Sequence, residues 1–215
     1  MIKLVLWDWN GTILDDLQIS LAAVNRLFVS DGKPEIDLQR YYECVDTPIS
    51  KFYEHFYDLS VTPFSHFGKI WRETYNELSS TLSLTPDCLD CLEHFRKMGC
   101  KQTIISASHA DDVLPYIERF GIGHYFDKVI TADDKNAGSK IEKAREYFAS
   151  AGTLPDETIF IGDTTHDMEV AEALGVKGFL VTTGHQSEKQ FFEAGIAKDR
   201  IVKLRDLVER ISFNA

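Results

Sequence analysis

The 215-residue sequence predicts an α/β protein, in which a doubly wound parallel sheet carries a small inserted helical domain. Short apolar runs recur along the chain and have the composition of strands buried on both faces of a sheet. These runs span residues 2–7, 103–105, 129–131, 158–161 and 178–181. Helical patterns separate the later runs, so strand and helix alternate. That alternation is typical of a parallel sheet with helices packed on both faces.

The helices are predicted from their start and stop residues. Pro86 stands where the first residue of a helix is expected, and Gly99 ends the pattern that follows. Three later helical patterns also end at a glycine, which readily adopts the left-handed conformation common after a helix. They cover residues 111–120, 141–151 and 167–174.

Residues 16–82 interrupt the alternation, because they are rich in aromatic residues and contain no convincing buried strand. Aromatic side chains such as Phe52 and Trp71 fall at helical spacings, which we interpret as packing between helices rather than as ligand contacts. The sequence therefore predicts a small all-helical domain at residues 16–82. Residues 1–15 and 83–215 would form the core domain into which it is inserted.

Composition narrows the classes of function. The formal net charge of −11 disfavours proteins that bind nucleic acid or lie on an anionic membrane, since neither attracts an acidic surface. The apolar run at the N-terminus is too short for the core of a signal peptide, and no later run approaches the roughly 20 residues that span a bilayer. Four cysteines without a secretory signal suggest reduced thiols. We therefore expect a cytoplasmic protein without a nucleic acid or membrane partner.

Polar residues that can carry chemistry follow four of the predicted strands. In an open parallel sheet, ligands bind beyond the carboxyl ends of the strands, so these residues are expected to meet at one edge. A single acidic residue could instead cap the helix that follows it, but four such segments together favour a shared site. The segments are Asp8-Trp9-Asn10-Gly11-Thr12, Ser106-Ala107-Ser108, residues 133–140 and Gly162-Asp163-Thr164-Thr165-His166-Asp167.

Two of these segments resemble signature motifs of the haloacid dehalogenase superfamily. They read Asp8-x-Asn10-Gly11-Thr12 and Gly162-Asp163-x-x-x-Asp167. The chain is more narrowly similar to the phosphoglycolate-phosphatase-like branch, in which a helical cap is inserted after the first motif. The resemblance covers essentially the whole chain, including a last strand and helix at residues 201–207. It implies a Rossmann-like core and a magnesium-dependent phosphatase. The implied substrate is a small phosphorylated metabolite, hydrolysed at its phosphate monoester.

The resemblance also implies a role for each motif residue. Asp8 corresponds to the nucleophile, which forms an aspartyl-phosphate and so divides one difficult displacement into two easier ones. Oxygen ligands suit Mg²⁺, and the implied metal-binding residues are Asp8, Asn10 (through its backbone carbonyl), Asp163 and Asp167 (through the water shell). The implied phosphate-binding residues are Asp8, Gly11, Thr12, Ser106, Ala107 and Lys140. The implied catalytic residues are Asp8, Asn10, Ser106 and Lys140.

Two of these assignments have a competitor nearby. Lys135 is an alternative to Lys140, but Lys140 stands where the next helix begins, and a helix N-terminus attracts phosphate. The family often has a proline after this lysine, whereas Ile141 follows it here. Ser106 is preferred to Ser108, because it lies nearer to the end of its strand.

Asn10 departs from the family pattern, in which an aspartate protonates the leaving group and then activates water. An amide cannot move protons, and general acid–base catalysis is typically worth about 10²–10⁴-fold. The sequence therefore predicts a slow phosphatase, or one whose substrate has a good leaving group. Alternatively, His166 or His109 supplies the proton, or deamidation of Asn10-Gly11 restores an aspartate in part of the population.

Other classes of function are left open by the sequence. A binding or regulatory module that holds phosphorylated ligands without turnover is supported by Asn10 alone. A phosphonate hydrolase of the same superfamily needs a Schiff-base lysine from the cap, for which Lys51 and Lys69 are candidates by location. A dehalogenase uses the first aspartate but needs no metal, so the Asp163 and Asp167 pair argues against it. Lys51 is also a candidate contact to an anionic substrate.

Overall fold

One parallel sheet of six strands organises the computed structural model, which describes residues 1–132 and 139–212. In chain order the strands are β1 (Leu4–Trp7), β2 (Leu14–Asp15), β3 (Ser83–Leu84), β4 (Lys101–His109), β5 (Lys128–Ala132), β6 (Thr158–Gly162), β7 (Lys177–Val181) and β8 (Ile201–Val202). The sheet order is β5-β4-β1-β6-β7-β8, and every neighbouring pair is parallel. The chain builds outward from β1 on one side and then on the other, so the topological switch point lies at β1. The predicted doubly wound parallel sheet is confirmed.

Ten α-helices accompany these strands in the described part of the chain. They are α1 (Leu17–Ser30), α2 (Leu38–Cys44), α3 (Ser50–Glu54), α4 (Ser65–Leu78), α5 (Cys88–Lys97), α6 (Leu114–Arg119), α7 (Lys140–Ala151), α8 (Thr165–Leu174), α9 (Glu188–Glu193) and α10 (Leu204–Ser212). None of these helices has the length and apolar character that crossing a membrane would require.

The core lies on both faces of the sheet, because successive side chains of a strand point to opposite sides. Leu4 and Leu6 of β1 belong to an apolar cluster that includes side chains of α7 and α8. Val5 and Trp7 belong to a second cluster, which includes side chains of α5 and α10. All four β1 side chains are fully buried, as their continuous apolar run predicts.

Two helices begin later than their sequence patterns predict. Asp87 adopts a left-handed conformation with φ of 63°, so α5 begins after it rather than at Pro86. The helix predicted from residue 111 begins at Leu114, after a short 3₁₀ turn. Pro115 then lies in the first turn of α6, where its missing N–H costs no helical hydrogen bond.

Residues 17–78 contain the four helices α1 to α4 and no strand. Their facing sides form an apolar cluster of their own. Within it the rings of Tyr53 and Phe67 stack with centroids 4.2 Å apart, and Phe28 lies against Phe52 with the two rings nearly parallel. These contacts agree with the interpretation of the aromatic residues as helix–helix packing.

A two-stranded antiparallel ribbon, β2 with β3, joins this helical segment to the sheet. The chain passes through it once on the way to α1 and once on the return from α4. Ile19 of α1 and Tyr75 of α4 also belong to the same apolar cluster as Trp9 and Ile13, which follow β1. The helical segment therefore packs against the carboxyl edge of the sheet.

Candidate active site

Three acidic residues converge at the carboxyl edge of the sheet, beside the switch point. Asp8 directly follows β1, and Asp163 directly follows β6, the strand that pairs with β1. Asp167 lies in the first turn of α8. One carboxylate oxygen from each of these residues lies within 4.8 Å of the other two. Asp163 and Asp167 are buried, and 12% of the Asp8 side chain is exposed.

Lys140 brings a positive charge to this carboxylate cluster. It is the first residue of α7, whose start is stabilised by a capping box at Ser139. Its Nζ contacts Asp8 Oδ1 and donates to Asp167 Oδ1 over 2.6 Å. Only 5% of the Lys140 side chain is exposed, so both contacts lie in a region of low dielectric. Lys135, the competing lysine, lies outside the described residues.

Burial and the charge of Lys140 shift the pKa values of the three carboxyl groups. Burial raises the pKa of Asp8 to about 6, against the opposing charge of Lys140. Burial also raises the pKa of Asp163 well above its ordinary value, and the nearby carboxylates add to the shift. For Asp167, burial is outweighed by Lys140, and the pKa is lowered. When ionised, three carboxylates facing one lysine carry an excess of negative charge, and their oxygens suit a divalent metal ion.

Asp163 is held by donors from two loops. Thr12 Oγ1 donates to Asp163 Oδ1 over 3.2 Å, and the backbone N–H of His185 donates to Oδ2 over 2.7 Å. Gly11 and Gly184 approach so closely that a β-carbon on either would lie about 2 Å from Asp163 Oδ2. Gly11 also has φ of +69°, a conformation that side chains disfavour. Glycine at both positions therefore leaves the space that the Asp163 carboxylate occupies.

A Gly184→Ala substitution is expected to lower the free energy of unfolding by about 1–3 kcal/mol, because the added methyl group displaces Asp163. The built β-carbon would lie 2.3 Å from the Asp163 β-carbon, so rotation of the carboxylate alone does not relieve the overlap. The matched control is Gly68→Ala in α4, where a β-carbon meets no atom within 4 Å. Urea denaturation of both variants measures the difference. Equal stabilities would contradict the close packing around Asp163.

The segment Ser106-Ala107-Ser108 lies at the end of β4. This strand continues to His109, four residues beyond the predicted strand. Ser106 is buried, and its Oγ accepts a hydrogen bond from the N–H of Ser108 over 3.0 Å. Ser108 Oγ donates instead to Asn10 Oδ1 over 2.6 Å. The two serines therefore have different partners. The predicted phosphate contacts of Ser106 and Ala107 stay predictions.

Gly11 and Thr12 are engaged within the protein. The N–H of Gly11 donates to the backbone oxygen of Leu14 and to Asp16 Oδ1 over 2.8 and 2.9 Å. The Thr12 hydroxyl is fully buried against Asp163. Their predicted contacts with phosphate stay predictions, and both residues also shape the loop after β1.

Asp16 and His185 form a buried pair beside the carboxylate cluster that the sequence analysis missed. His185 Nε2 lies 3.0 Å from Asp16 Oδ1, and Asn10 Nδ2 donates to Asp16 Oδ2 over 2.7 Å. Burial raises the pKa of Asp16, but His185 and the hydrogen bonds from Asn10 and Gly11 together lower it more, so its net pKa is below the ordinary value. Burial lowers the pKa of His185, but Tyr41 and Asp16 raise it more, and its net pKa lies well above that of an ordinary histidine.

A signal for His185 was present in the sequence, whereas none was present for Asp16. His185 follows β7 at the same edge of the sheet, so the strand-end argument applied to the other strands would have found it. An acidic residue before a helix is ordinarily a helix cap. The Asp16 side chain makes no capping bond to α1, and only the folded chain turns it toward the loop after β1.

The remaining candidates from the sequence have other partners. His166 Nδ1 lies 2.8 Å from the carboxylate of Glu169, one turn along α8. His109 caps the 3₁₀ turn that follows β4. Lys51 and Lys69 are exposed, and each pairs with an acidic neighbour on the helical segment. None of these four residues contributes to the carboxylate cluster of Asp8, Asp163 and Asp167 within the described chain.

Residues 5–181 match the family model described as haloacid dehalogenase-like hydrolase. The chain belongs to this family. The family resemblance predicted from the motifs is thereby confirmed, and so is the Rossmann-like core. Phosphatases of the haloacid dehalogenase-like family generally use a divalent metal ion, and the carboxylate cluster offers the oxygen ligands for one.

Individual relatives are distant in sequence. A phosphoglycolate phosphatase from Pseudomonas putida is 25% identical over 193 residues, which cover 85% of this chain and 70% of that protein. Pyrophosphatase PpaX from Bacillus velezensis is 25% identical over 178 residues, covering 80% of each chain. The structure of a haloacid dehalogenase-like hydrolase from Streptococcus pneumoniae superposes with a TM-score of 0.83 at 20% identity and covers 98% of both chains. That superposition supports the fold alone, whereas the predicted activity class, a phosphatase, agrees with the names of the sequence relatives.

Proposed function

We propose that this haloacid dehalogenase-like hydrolase cleaves small phosphate monoesters in a Mg²⁺-dependent reaction, through an aspartyl-phosphate on Asp8. One observation carries the proposal: the buried Asp8 carboxylate contacts the ammonium group of Lys140 and lies within 4.8 Å of the carboxylates of Asp163 and Asp167. Phosphoryl transfer requires a positioned nucleophile, ligands for a hard cation and a fixed positive charge, and this cluster offers all three.

The reaction has two displacement steps. In the first, an oxygen of the Asp8 carboxylate attacks phosphorus, the ester P–O bond breaks, and the leaving group departs as an oxyanion that takes its proton from solvent. In the second, water attacks the same phosphorus and loses a proton to solvent, the bond between phosphorus and Asp8 breaks, and inorganic phosphate is released. Lys140 stabilises the negative charge on the phosphoryl oxygens, and Ser106 donates a hydrogen bond to one of them.

The proposed metal ligands are Asp8, Asp163 and the backbone carbonyl of Asn10, with Asp167 bonded to the water shell. A bound Mg²⁺ supplies charge neutralisation for the phosphoryl group. The donor set supports this assignment, because it consists of hard oxygen atoms with an excess of negative charge. Asp167 Oδ2 accepts three hydrogen bonds, from the N–H of Asp163 and from the N–H and hydroxyl of Thr164.

Asn10 determines which substrates suit this site. Its side chain lies between Asp16 and Ser108 and carries no proton to give to a leaving group. We therefore propose a slow phosphatase, or one that acts on an ester or anhydride with a good leaving group. The two relatives are named for small phosphorylated substrates, phosphoglycolate and pyrophosphate, and of these two pyrophosphate has the better leaving group. Phosphate leaves from pyrophosphate with less need of protonation than an alcohol does from an ester.

The same proposal assigns residues 16–82 as a cap domain and residues 1–15 and 83–215 as the core. The separate apolar cluster of α1 to α4 and the ribbon at Leu14–Asp15 and Ser83–Leu84 support these boundaries. The proposed location is the cytoplasm, where thiols stay reduced. It is supported by the four cysteines, which are free and buried.

The proposal is tested by phosphate release from a panel of small phosphate esters and anhydrides, with and without Mg²⁺. We expect turnover with Mg²⁺ that disappears in the Asp8→Asn variant and persists in Asp111→Asn, a matched change at an exposed aspartate. Ligand binding with no turnover on any member of the panel would favour a phospho-ligand-binding module, for which Asn10 is the supporting feature. Turnover that is independent of Mg²⁺ would contradict the proposed metal requirement.

A further inference from the structure

A chain of hydrogen bonds runs from the helical cap to the loop that carries the proposed nucleophile. The Tyr41 hydroxyl, on α2, lies 2.9 Å from His185 Nδ1, and His185 Nε2 lies 3.0 Å from Asp16 Oδ1. Asp16 Oδ2 accepts from Asn10 Nδ2 over 2.7 Å, and Asn10 Oδ1 accepts from Ser108 Oγ over 2.6 Å. The chain therefore links the cap to the loops after β1 and β7 and to the end of β4.

We propose that Tyr41, His185 and Asp16 form a positioning network, which couples docking of the cap to the orientation of Asn10 beside the reacting phosphate. The inference rests on the proposed function, because it concerns the same site. None of the three residues is assigned a contact with the substrate. They act through Asn10, which directly follows Trp9 and lies two positions from Asp8.

The orientation of the Asn10 amide is fixed by its two partners. A carboxylate only accepts hydrogen bonds, so Asp16 selects the NH₂ group of Asn10. The Ser108 hydroxyl then donates to the carbonyl oxygen, and the opposite orientation would place that oxygen against the Asp16 carboxylate, where neither group can donate. An amide nitrogen carries two hydrogens, and the one not given to Asp16 is the group that Asn10 can offer to a substrate oxygen. Asn10 therefore acts as an oriented hydrogen-bond donor, although it has no proton to transfer.

Asp16, the first residue of the proposed cap domain, has hydrogen-bond partners in both domains. It is only 2% exposed, and it accepts hydrogen bonds from the core through Asn10 and the N–H of Gly11. From the cap it accepts a bond from the Tyr75 hydroxyl over 3.2 Å. Removing one partner from a buried carboxylate is costly, because the charge is left without compensation. Undocking of the cap is therefore coupled to a rearrangement around Asp16.

His185 adds a second connection, to the carboxylate cluster. Its side chain meets Tyr41 of the cap, while its backbone N–H donates to Asp163 Oδ2 over 2.7 Å. The adjacent carbonyl of Gly184 accepts from the Tyr42 hydroxyl over 3.4 Å. Two neighbouring tyrosines of α2 thus contact the loop that holds Asp163. A shift of α2 displaces this loop as well as the Asp16–Asn10 pair.

The kinetic test uses Tyr41→Phe, which removes only a hydroxyl group. We expect kcat to fall about tenfold, the effect of losing roughly 1.4 kcal/mol of transition-state stabilisation, with little change in KM. The matched control is Tyr57→Phe, whose hydroxyl bonds Asp31 within the cap over 2.9 Å and should leave kcat unchanged. A double-mutant cycle with Asn10→Ala then tests the route: the two losses should be less than additive for Tyr41→Phe and additive for Tyr57→Phe. Additive losses for both pairs would overturn the network.

A second readout needs no turnover, so it separates this inference from the proposed function. Amide hydrogen exchange, followed by mass spectrometry, should increase in Tyr41→Phe within α2 and also in residues 8–12 and 183–187. In Tyr57→Phe the increase should stay within the cap. Faster exchange confined to α2 in the Tyr41→Phe protein would overturn the coupling, whether or not the wild-type protein hydrolyses any ester. Failure of the proposed function alone would leave this exchange pattern intact.

Discussion

An Asn10→Asp variant is expected to hydrolyse phosphate esters about 10²–10⁴-fold faster than the wild-type chain. The substitution keeps the size of the side chain and supplies the carboxyl group that protonates a leaving group and then activates water. The gain should be greatest for esters with poor leaving groups, because these depend most on protonation. Comparison of kcat for alkyl esters and aryl esters measures this dependence in both proteins.

In the Asn10→Asp variant, the neighbouring Asp16 affects the pKa of the new carboxyl group. The new carboxyl group would lie about as close to Asp16 as the present 2.7 Å contact from Asn10 Nδ2. Two carboxylates at that distance share a proton, and the pKa of one of them is raised. The raised pKa keeps the new group protonated, and so able to act as an acid, at higher pH. The exchange variant Asn10→Asp/Asp16→Asn removes this repulsion, so the pKa of its new carboxyl group should be lower. As the pH rises, the activity of the exchange variant should therefore decline before that of the single variant. Unchanged kcat in both variants would contradict the account of Asn10.

The Asp8→Asn variant is expected to lose all turnover and to unfold at a higher temperature than the wild-type chain. Turnover is lost because an amide does not form the covalent intermediate. Stability rises because the folded state raises the pKa of Asp8 from 3.8 to about 6, chiefly by burial. At neutral pH the ionised group therefore disfavours folding, and this penalty fades as the pH falls from about 6 toward the unfolded-state pKa of 3.8, below which it is absent. In a chain of this size, each kcal/mol gained raises Tm by about 2–4 °C.

Two controls accompany that measurement. Melting curves at neutral and acidic pH should show the stabilisation of Asp8→Asn shrinking as the pH falls. Added Mg²⁺ should raise the Tm of the wild-type chain more than that of the variant, because binding to the folded state stabilises it and the variant lacks one proposed ligand. A lower Tm for Asp8→Asn at neutral pH would mean that the pairing of Asp8 with Lys140 outweighs the cost of burial.

The sheet was predictable because its signals are local. Strands buried on both faces need continuous apolar runs, and β1, β6 and β7 contain little else. Helix starts were harder to predict, since the left-handed conformation of Asp87 and the 3₁₀ turn before α6 depend on how the chain meets its neighbours. The helical segment was recognised by its aromatic spacing, and its packing follows that spacing.

The candidate site was predictable to the extent that it is built from strand ends. Asp8, Asp163 and Lys140 stand directly beyond apolar runs or at a helix start, and they meet in the structure. Asp16 and Tyr41 gave no such signal, because a residue before a helix and a tyrosine in an aromatic stripe have ordinary packing interpretations. Their contacts with His185 depend on docking of the cap, which is a tertiary event.

Covalent phosphorylation of Asp8 is the central claim, and mass spectrometry of the acid-quenched protein tests it most directly. Protein mixed with Mg²⁺ and a reactive aryl phosphate is quenched during turnover, digested and mapped. One added phosphoryl group is expected on the peptide that contains Asp8, and it should accumulate because Asn10 does not activate water for the second step. Asp8→Asn should carry none. Continued phosphate release in Asp8→Asn, or wild-type turnover with no phosphoryl group on Asp8 at any quench time, would contradict the account.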